Sequence, residues 1–511
     1  MNFNKFTSFA ICILWLIFEE ANTRTIKSIN RPHVIFILAD DLGWNDVGFH
    51  GDVEISTPNI DALAYSGVIL NNYYVQPLCT PSRGAIMTGM YPIHTGLQHS
   101  VILGSEPRGL PLDFTIFPEY LKSLGYTTRI VGKWHLGDYR KDYTPTFRGF
   151  DSHYGYWEGM IEYYSHTMAL NDSCNGYDFR RNMEVEYDGV GTYATDLFTE
   201  EGVKVINEHN PSEPLFLYLP HLATHVATFS ENGVPLQAPD EVIEMFSYIE
   251  DENRRVFAAM LWKLDESIGK VVEALKDKDM LKDSIFVFSA DNGGSSGGYE
   301  RSGDVSVLHP TDGMNVWDSL QGESSSPRTE FLVNIDPFIN GASIRDDKWK
   351  LLFNPSGIGE QYDGWFGPSG RNSTSNSNSF KGKENYLTNI QSSPAGRAVK
   401  ELMPNIFENI ETRLKNAEVL CGEVPENATA SCSDINNPCL FNISSDPCEY
   451  YDVSKLYPSI VEELLKKLQF YNSTAVTPGN QPLDPRGNPV YWNNTWTNWY
   501  DYIGGNSISN A

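Results

Sequence analysis

The stretch Val34-Ile35-Phe36-Ile37-Leu38-Ala39-Asp40-Asp41 decides the fold. Its apolar run has β-branched members and no polar face to turn toward water. Such a run suits a strand buried on both faces, as in a parallel sheet. It stops at two adjacent carboxylates. Two further runs repeat the pattern: Leu215 to Leu219, and Ile285 to Ser289 before Ala290-Asp291-Asn292-Gly293-Gly294. Between them Val256, Met260, Leu264, Ile268, Val271 and Leu275 recur at helical spacing. Strands alternating with helices predict an α/β sandwich. Ligands in such sheets gather beyond the carboxyl ends of the strands, where the polar clusters of this chain fall.

The 511 residues suffice for a large domain and a smaller one. A hydrophobic content of 41% and an aromatic content of 13% suit a globular core. The formal net charge of -28 excludes a general nucleic-acid binder, which needs a basic footprint. Any pocket for an anion must therefore be locally basic inside a negative protein. We place the domain boundary near Asp336, with residues 26–335 as the larger unit and 336–511 as a smaller α+β unit. The smaller unit should hold a few strands and an amphipathic helix from about Ser459 to Tyr471. In that helix Ile460, Val461, Leu464, Leu465 and Leu468 share one face. The Gly-, Ser- and Asn-rich stretch from Asn354 to Phe380 reads as a surface loop. There is no internal repeat.

Residues 1–22 read as a signal peptide. Lys5 supplies the positive region, and Phe9 to Phe18 is too short to span a bilayer, which needs about 20 residues. Cleavage is expected between Ala21 and Thr25. No other membrane span is expected, and the polar C-terminus lacks the apolar tail of a GPI signal. Asn171, Asn372, Asn427, Asn442, Asn472 and Asn493 each begin an Asn-x-Ser/Thr sequon, which agrees with a secretory route.

Several polar groups have the residue types that chemistry needs. Asp40-Asp41 is commonly a turn, but two carboxylates also suit a hard cation such as calcium. Asp291-Asn292 is a second such pair at a second strand end, and the glycines after it allow close backbone approach. Lys133 and His135 stand two apart in a short loop and can enter one pocket. His225 and His221 both follow the strand Leu215 to Leu219, and His225 is the favoured site histidine. Each of these also reads as an ordinary surface or core residue when taken alone.

Cys79-Thr80-Pro81-Ser82-Arg83, followed by Met87-Thr88-Gly89, changes the weight of these readings. It resembles the signature of type I sulfatases. Gly132-Lys133-Trp134-His135 and Asp291-Asn292-Gly293-Gly294 resemble further motifs of that family. So do Thr57-Pro58-Asn59-Ile60-Asp61-Ala62-Leu63, His94-Thr95-Gly96-Leu97-Gln98-His99, Arg148-Gly149-Phe150-Asp151, Tyr163-Tyr164-Ser165-His166 and Pro447-Cys448-Glu449. Their combination, in this order, is most similar to the arylsulfatase B/I/J group.

The resemblance implies an alkaline-phosphatase-like sulfatase fold: a large mixed sheet sandwiched by helices, with a smaller C-terminal α+β domain. It implies that Cys79 is oxidised to formylglycine by a formylglycine-generating enzyme. It implies calcium held by Asp40, Asp41, Asp291, Asn292 and the group at position 79. Lys133 would bind the sulfate, and Arg83 would orient the nucleophile. His225 would protonate the leaving alcohol, and His135 would serve as base. The implied reaction removes sulfate from a sulfated glycan or small sulfate ester, of the glycosaminoglycan type, with N-acetylgalactosamine 4-sulfate a candidate. The implied location is lysosomal or extracellular.

With Cys12 in the signal and Cys79 assigned to chemistry, five cysteines remain. Closeness in sequence suggests Cys421–Cys432 and Cys439–Cys448, leaving Cys174 without a partner.

The chain departs from the family after Gly294. The family continues with a second sulfate-binding lysine and a Trp-Glu-Gly-Gly. Here Ser295 to Thr311 has neither, its closest cation is Arg301, and Asp312-Gly313 already resembles a later turn. An internal segment is therefore expected to be absent. That leaves a second reading, a pseudoenzyme that keeps calcium and glycan binding without turnover. A phosphoester hydrolase of the same superfamily would generally use Ser or Thr as nucleophile, and Cys79 argues against it.

Overall fold

The computed structural model describes residues 31–503, apart from 52–53, 72, 228–233, 294–311, 313, 315, 355–381 and short stretches between 411 and 431. The expected signal peptide, the segment 295–311 and the loop from 355 to 380 lie outside the described residues.

Each apolar run forms a strand. In chain order the larger body contains β1 (His33–Ala39), β2 (Thr127–Lys133), β3 (Ser152–Tyr156), β4 (Thr167–Asn171), β5 (Cys174–Tyr177), β6 (Arg180–Arg181), β7 (Glu184–Val185), β8 (Leu215–Pro220) and β9 (Ser284–Ala290). Seven of them form one sheet in the order β7-β6-β3-β2-β8-β1-β9, and β4 and β5 form a separate hairpin. β1 runs parallel to β8 and β9, and β2 runs parallel to β3 and β8. β6 and β7 are antiparallel, so the sheet is mixed.

Strand alternation feeds two cores, because successive side chains leave a strand on opposite faces. Ile35, Ile37 and Ala39 of β1, with Leu215, Leu217 and Leu219 of β8, join one apolar cluster. Leu38, Phe216 and Tyr218 join the other. Helices cover both faces. α1 (Pro58–Ser66), α3 (Ala194–Glu208) and α4 (Glu252–Asp277) pack on the first, and α2 (Cys79–Thr88) sends Met87 into the second. α4 contains the helix expected from the 256–275 periodicity.

A second sheet is antiparallel, in the order β10 (Glu330–Asp336), β11 (Gly341–Asp346), β12 (Trp349–Phe353) and β13 (Cys439–Asn442). The helix α6 (Pro458–Thr474) packs Leu464 and Leu468 against it. β10 belongs to this sheet although it lies on the N-terminal side of Asp336. Two stretches beyond Asp336 pack on the large body instead. α5 (Pro394–Leu402) contributes Ala395 and Ala398 to the first core. The chain from Gly479 onward straps the larger body, with Gly479 N–H donating to Gly96 O at 2.8 Å and Trp496 Nε1 to Met168 O at 3.0 Å.

The disulfides correct the expected pairing. They join Cys421 to Cys448 and Cys432 to Cys439, nested rather than consecutive. The strand ladder is the reason. Cys439 opens β13 opposite Leu352, and Asn354 N–H donates to Cys432 O at 2.6 Å, so the edge of β12 brings Cys432 to Cys439. Cys174 is buried and unpaired. Of the sequon asparagines, Asn171, Asn427, Asn472 and Asn493 are exposed, Asn442 is half-buried in β13, and Asn372 lies outside the described residues. Among the described residues no helix is long and apolar enough to cross a membrane.

Candidate active site

Three strand ends meet at one edge of the large sheet. Asp291 N–H donates to Ala39 O at 3.0 Å, and Asp40 N–H to Ala223 O at 3.0 Å. Thr224 N–H donates back to Asp40 O at 2.7 Å. This stitching holds the segments after β1, β8 and β9 together, so Asp40, Asp41, Asp291 and Asn292 converge from distant parts of the chain. Lys133 closes β2 one strand further on. The residue before it must be glycine: Gly132 has φ +124°, and a Cβ there would lie 2.0 Å from Pro220 O. Cys79 enters from the first residue of α2, and Arg83 one turn later on the same face.

Lys133 Nζ donates to Asp40 Oδ2 at 2.6 Å. Arg83 Nη2 lies 3.1 Å from Asp40 Oδ1 and 2.7 Å from Asp291 Oδ2. All four side chains are fully buried. Cys79 Sγ donates to Asp40 Oδ1 at 3.5 Å. Ligand atoms of Asp40, Asp41, Cys79 and His225 all lie within 4.8 Å of one another. Asn292 Nδ2 donates to Asp41 Oδ1 and to Gly293 O, and this leaves its buried Oδ1 without a partner among the described residues.

Charge explains the protonation pattern. Burial pushes Asp40 up, but Lys133 and Arg83 outweigh it and hold the carboxyl below its usual range. Burial and the Asp40 charge raise Asp291 to about 6 against the opposing pull of Arg83 and Lys133. Burial lowers Lys133, yet Asp40 more than restores it, so the ammonium persists. Burial pushes the Cys79 thiol well up, with Asp291 and Asp40 adding to it and Lys133 opposing. Three carboxylates facing two cations leave one excess negative charge, the wrong sign for an anionic ligand. A divalent cation would reverse that sign. The donor set fits such an ion: three carboxylates and one unpartnered buried amide oxygen are the hard oxygens that calcium takes.

The histidines differ in orientation. His135 Nε2 faces Ile102 O at 2.9 Å, and a carbonyl only accepts. The proton therefore sits on Nε2, and the buried Nδ1, without a partner among the described residues, is the bare nitrogen. Burial and the Lys133 charge hold this imidazole well below its ordinary range. His225 donates through Nδ1 to Val226 O at 2.7 Å and presents Nε2 to Asp41 Oδ2 at 3.6 Å. His221 instead turns into the core, with Nε2 3.0 Å from Ser267 Oγ. Of the two histidines after β8, His225 is the one at the cluster. Sequence reasoning missed Thr80, whose Oγ1 donates to His135 O and accepts from Ile102 N–H. Its place inside the Cys79–Arg83 stretch was the available signal. The Ile102 carbonyl was illegible, because any residue supplies one.

A family model described as Sulfatase matches residues 32–330. Arylsulfatase J of Mus musculus is 36% identical over 92% of this chain and 81% of the relative. That alignment runs over 541 positions while 92% of this chain is about 470 residues, so about 70 positions of the relative have no counterpart here. N-acetylgalactosamine-6-sulfatase of Homo sapiens is 29% identical over 51% of this chain and 50% of the relative. Arylsulfatase A of Bos taurus is 31% identical over 52% and 53%. Among solved structures, Ps i-CgsB in complex with k-i-k-neocarrahexaose is 24% identical and covers 91% of this chain and 97% of its own, with a TM-score of 0.63. This likeness shows a shared fold.

Proposed function

The chain belongs to the sulfatase family, and on that premise we propose that it removes sulfate from a sulfated sugar at the cluster around Cys79. The observation that carries the proposal is the convergence of Cys79, Arg83 and Lys133 on Asp40 beneath a set of hard oxygen donors. A sulfate ester is already anionic and resists a nucleophile unless positive charge surrounds its oxygens. Lys133 and Arg83 supply fixed cations whose orientation is set by Asp40 and Asp291 before any substrate arrives. Asp40, Asp41, Asp291 and Asn292 would hold calcium, which when bound supplies Lewis-acid polarisation of the ester oxygens. Conversion of the Cys79 side chain to formylglycine by the secretory maturation enzyme would supply a hydroxyl nucleophile. With its Nδ1–H held by Val226 O, His225 as the imidazolium donates from Nε2 the proton that the departing alcohol needs. His135 Nδ1 is a bare, buried nitrogen and accepts a proton from the group at position 79.

The name N-acetylgalactosamine-6-sulfatase concerns a sulfated sugar and the solved complex holds a neocarrahexaose, which supports a glycan substrate. Within that class we infer a glycosaminoglycan-type hexosamine sulfate, with N-acetylgalactosamine 4-sulfate a candidate. The route is secretory, ending in the lysosome or outside the cell.

The test is expression through a secretory pathway, mass spectrometry of the peptide containing Cys79, and a sulfate-release assay on an aryl sulfate and on sulfated disaccharides. Formylglycine with turnover is the expected result. The missing aligned positions favour one other reading, a pseudoenzyme. Converted Cys79 with calcium binding but no sulfate release would establish that reading instead.

A further inference from the structure

We propose that β9 is a self-association edge, through which a second copy of this chain pairs antiparallel about a two-fold axis at Val287.

β9 ends the large sheet and hydrogen-bonds only to β1. Among the described residues no other backbone bonds to its outer edge; Ser289 Oγ donates to Ala290 O within the strand, and Tyr73 bonds the Ser289 side chain. An edge strand presents a row of unpaired N–H and C=O groups and is a template for another strand. Proteins usually blunt such edges with charge, proline, a bulge or shortness. The opposite edge follows that rule, since β7 is the two-residue strand Glu184–Val185. β9 does not. Its sequence Ser284-Ile-Phe-Val-Phe-Ser-Ala290 has seven residues and no charge, proline or glycine. Its register with β1 is unbroken from His33↔Ser284 to Ala39↔Ala290, so no bulge twists it away. All seven residues are only half-buried, unlike those of the fully buried β8. Phe286, Phe288 and Ala290 rest on the first core, while Ile285 and Val287 on the other face join neither large cluster.

The strand is nearly its own complement. Antiparallel pairing centred on Val287 sets Val287 against Val287 of the second copy, Phe286 against Phe288, and Ile285 against Ser289. Aromatic and β-branched cross-strand pairs favour such ladders. A two-fold contact closes, so it consumes both open edges and stops at a dimer. The net charge of -28 opposes association globally, but none of that charge lies on β9. The absence of about 70 positions present in arylsulfatase J supplies the physical occasion, since a shorter chain has less with which to cover this edge.

The experiment is sedimentation of the full secreted chain over a concentration series, for the natural sequence and for Val287→Lys, Val287→Cys and Ser284→Cys. The expected result is a concentration-dependent dimer that Val287→Lys shifts to monomer and that Val287→Cys traps as a disulfide under mild oxidant. Ser284→Cys should not be trapped, because its own copy lies about 20 Å along the strand. Hydrogen exchange of the natural chain should show β9 amides gaining protection as concentration rises. That readout stands even where Val287→Lys fails to fold. A natural chain that stays monomeric throughout, a dimer that survives folded Val287→Lys, or β9 amides indifferent to concentration would overturn the proposal.

Discussion

Lys133 Nζ lies 2.6 Å from Asp40 Oδ2, and neither side chain is exposed. The pair therefore spans β1 and β2 inside the site and does not decorate its rim. Each ion keeps the other charged, and Arg83 shares the load on Asp40.

Lys133→Met should lower sulfate release by at least about 10²-fold, the scale of losing one charge-stabilising donor. Removing one partner of a buried pair also costs about 3–5 kcal/mol, so the melting temperature should fall as well. Steady-state kinetics and calorimetry on the same preparation separate the two effects. Unchanged turnover would remove Lys133 from the mechanism.

Cys79→Ala should abolish turnover and leave the fold intact. Among the described residues the thiol's one hydrogen bond is weak, at 3.5 Å to Asp40 Oδ1. Circular dichroism should be unchanged while sulfate release falls to background. Cys79→Ser should be equally inactive, because an unconverted serine lacks the second hydroxyl of an aldehyde hydrate. Activity in either variant would refute the assigned nucleophile.

Calcium should stabilise the folded chain, because three carboxylates face two cations until it binds. At free calcium about 100 times its Kd the gain is about 2.7 kcal/mol. Chelator should lower the melting temperature, and added calcium should restore it. Asp41→Asn should blunt that response. The melting measurement reads binding without depending on turnover.

A buried acidic group lies behind His135. Asp178 Oδ2 accepts from Trp157 N–H at 3.0 Å and Glu158 N–H at 2.8 Å, and His135 N–H donates to Trp157 O. Burial, then Asp178, raises Asp138 to about 7. Burial raises Asp178 to about 6 against Arg180. Burial, then Asp138 and Asp178, pushes Glu158 well up. Native values above those of the unfolded chain mean that the unfolded chain releases these protons first as pH rises. The contribution is full below about pH 4 and is lost as pH rises through about 6 to 7, on the order of a few kcal/mol. With calcium held saturating, melting temperature should fall from pH 5 to pH 8, and Glu158→Gln should flatten that fall. An unaltered slope in the variant would assign the pH dependence to other groups.

Trp496→Ala should destabilise by about 3–5 kcal/mol, the range for truncating a buried tryptophan. Trp496 is 1% exposed, and its Nε1 donates to Met168 O, which fastens the C-terminal strap to the larger body. Urea unfolding measures the loss.

What could be read from the chain was local. Apolar runs at Val34, Leu215 and Ile285 specified parallel strands because a strand buried on both faces leaves no polar position. The acids just after them were legible as neighbours at one sheet edge because parallel strands end at a common edge. The Cys79–Arg83 and Gly132–His135 stretches carried the family resemblance for the same reason: each is contiguous. The tertiary structure decided what depends on distant partners. It placed His225 beside Asp41 and His221 against Ser267, although both follow β8. It nested the disulfides, because ladder pairing between β12 and β13 outweighs closeness in sequence. It sent the strap back over the larger body and left β9 as an edge. Strand order, like disulfide partnership, is a choice among remote contacts of similar local chemistry, and only the packed chain makes it.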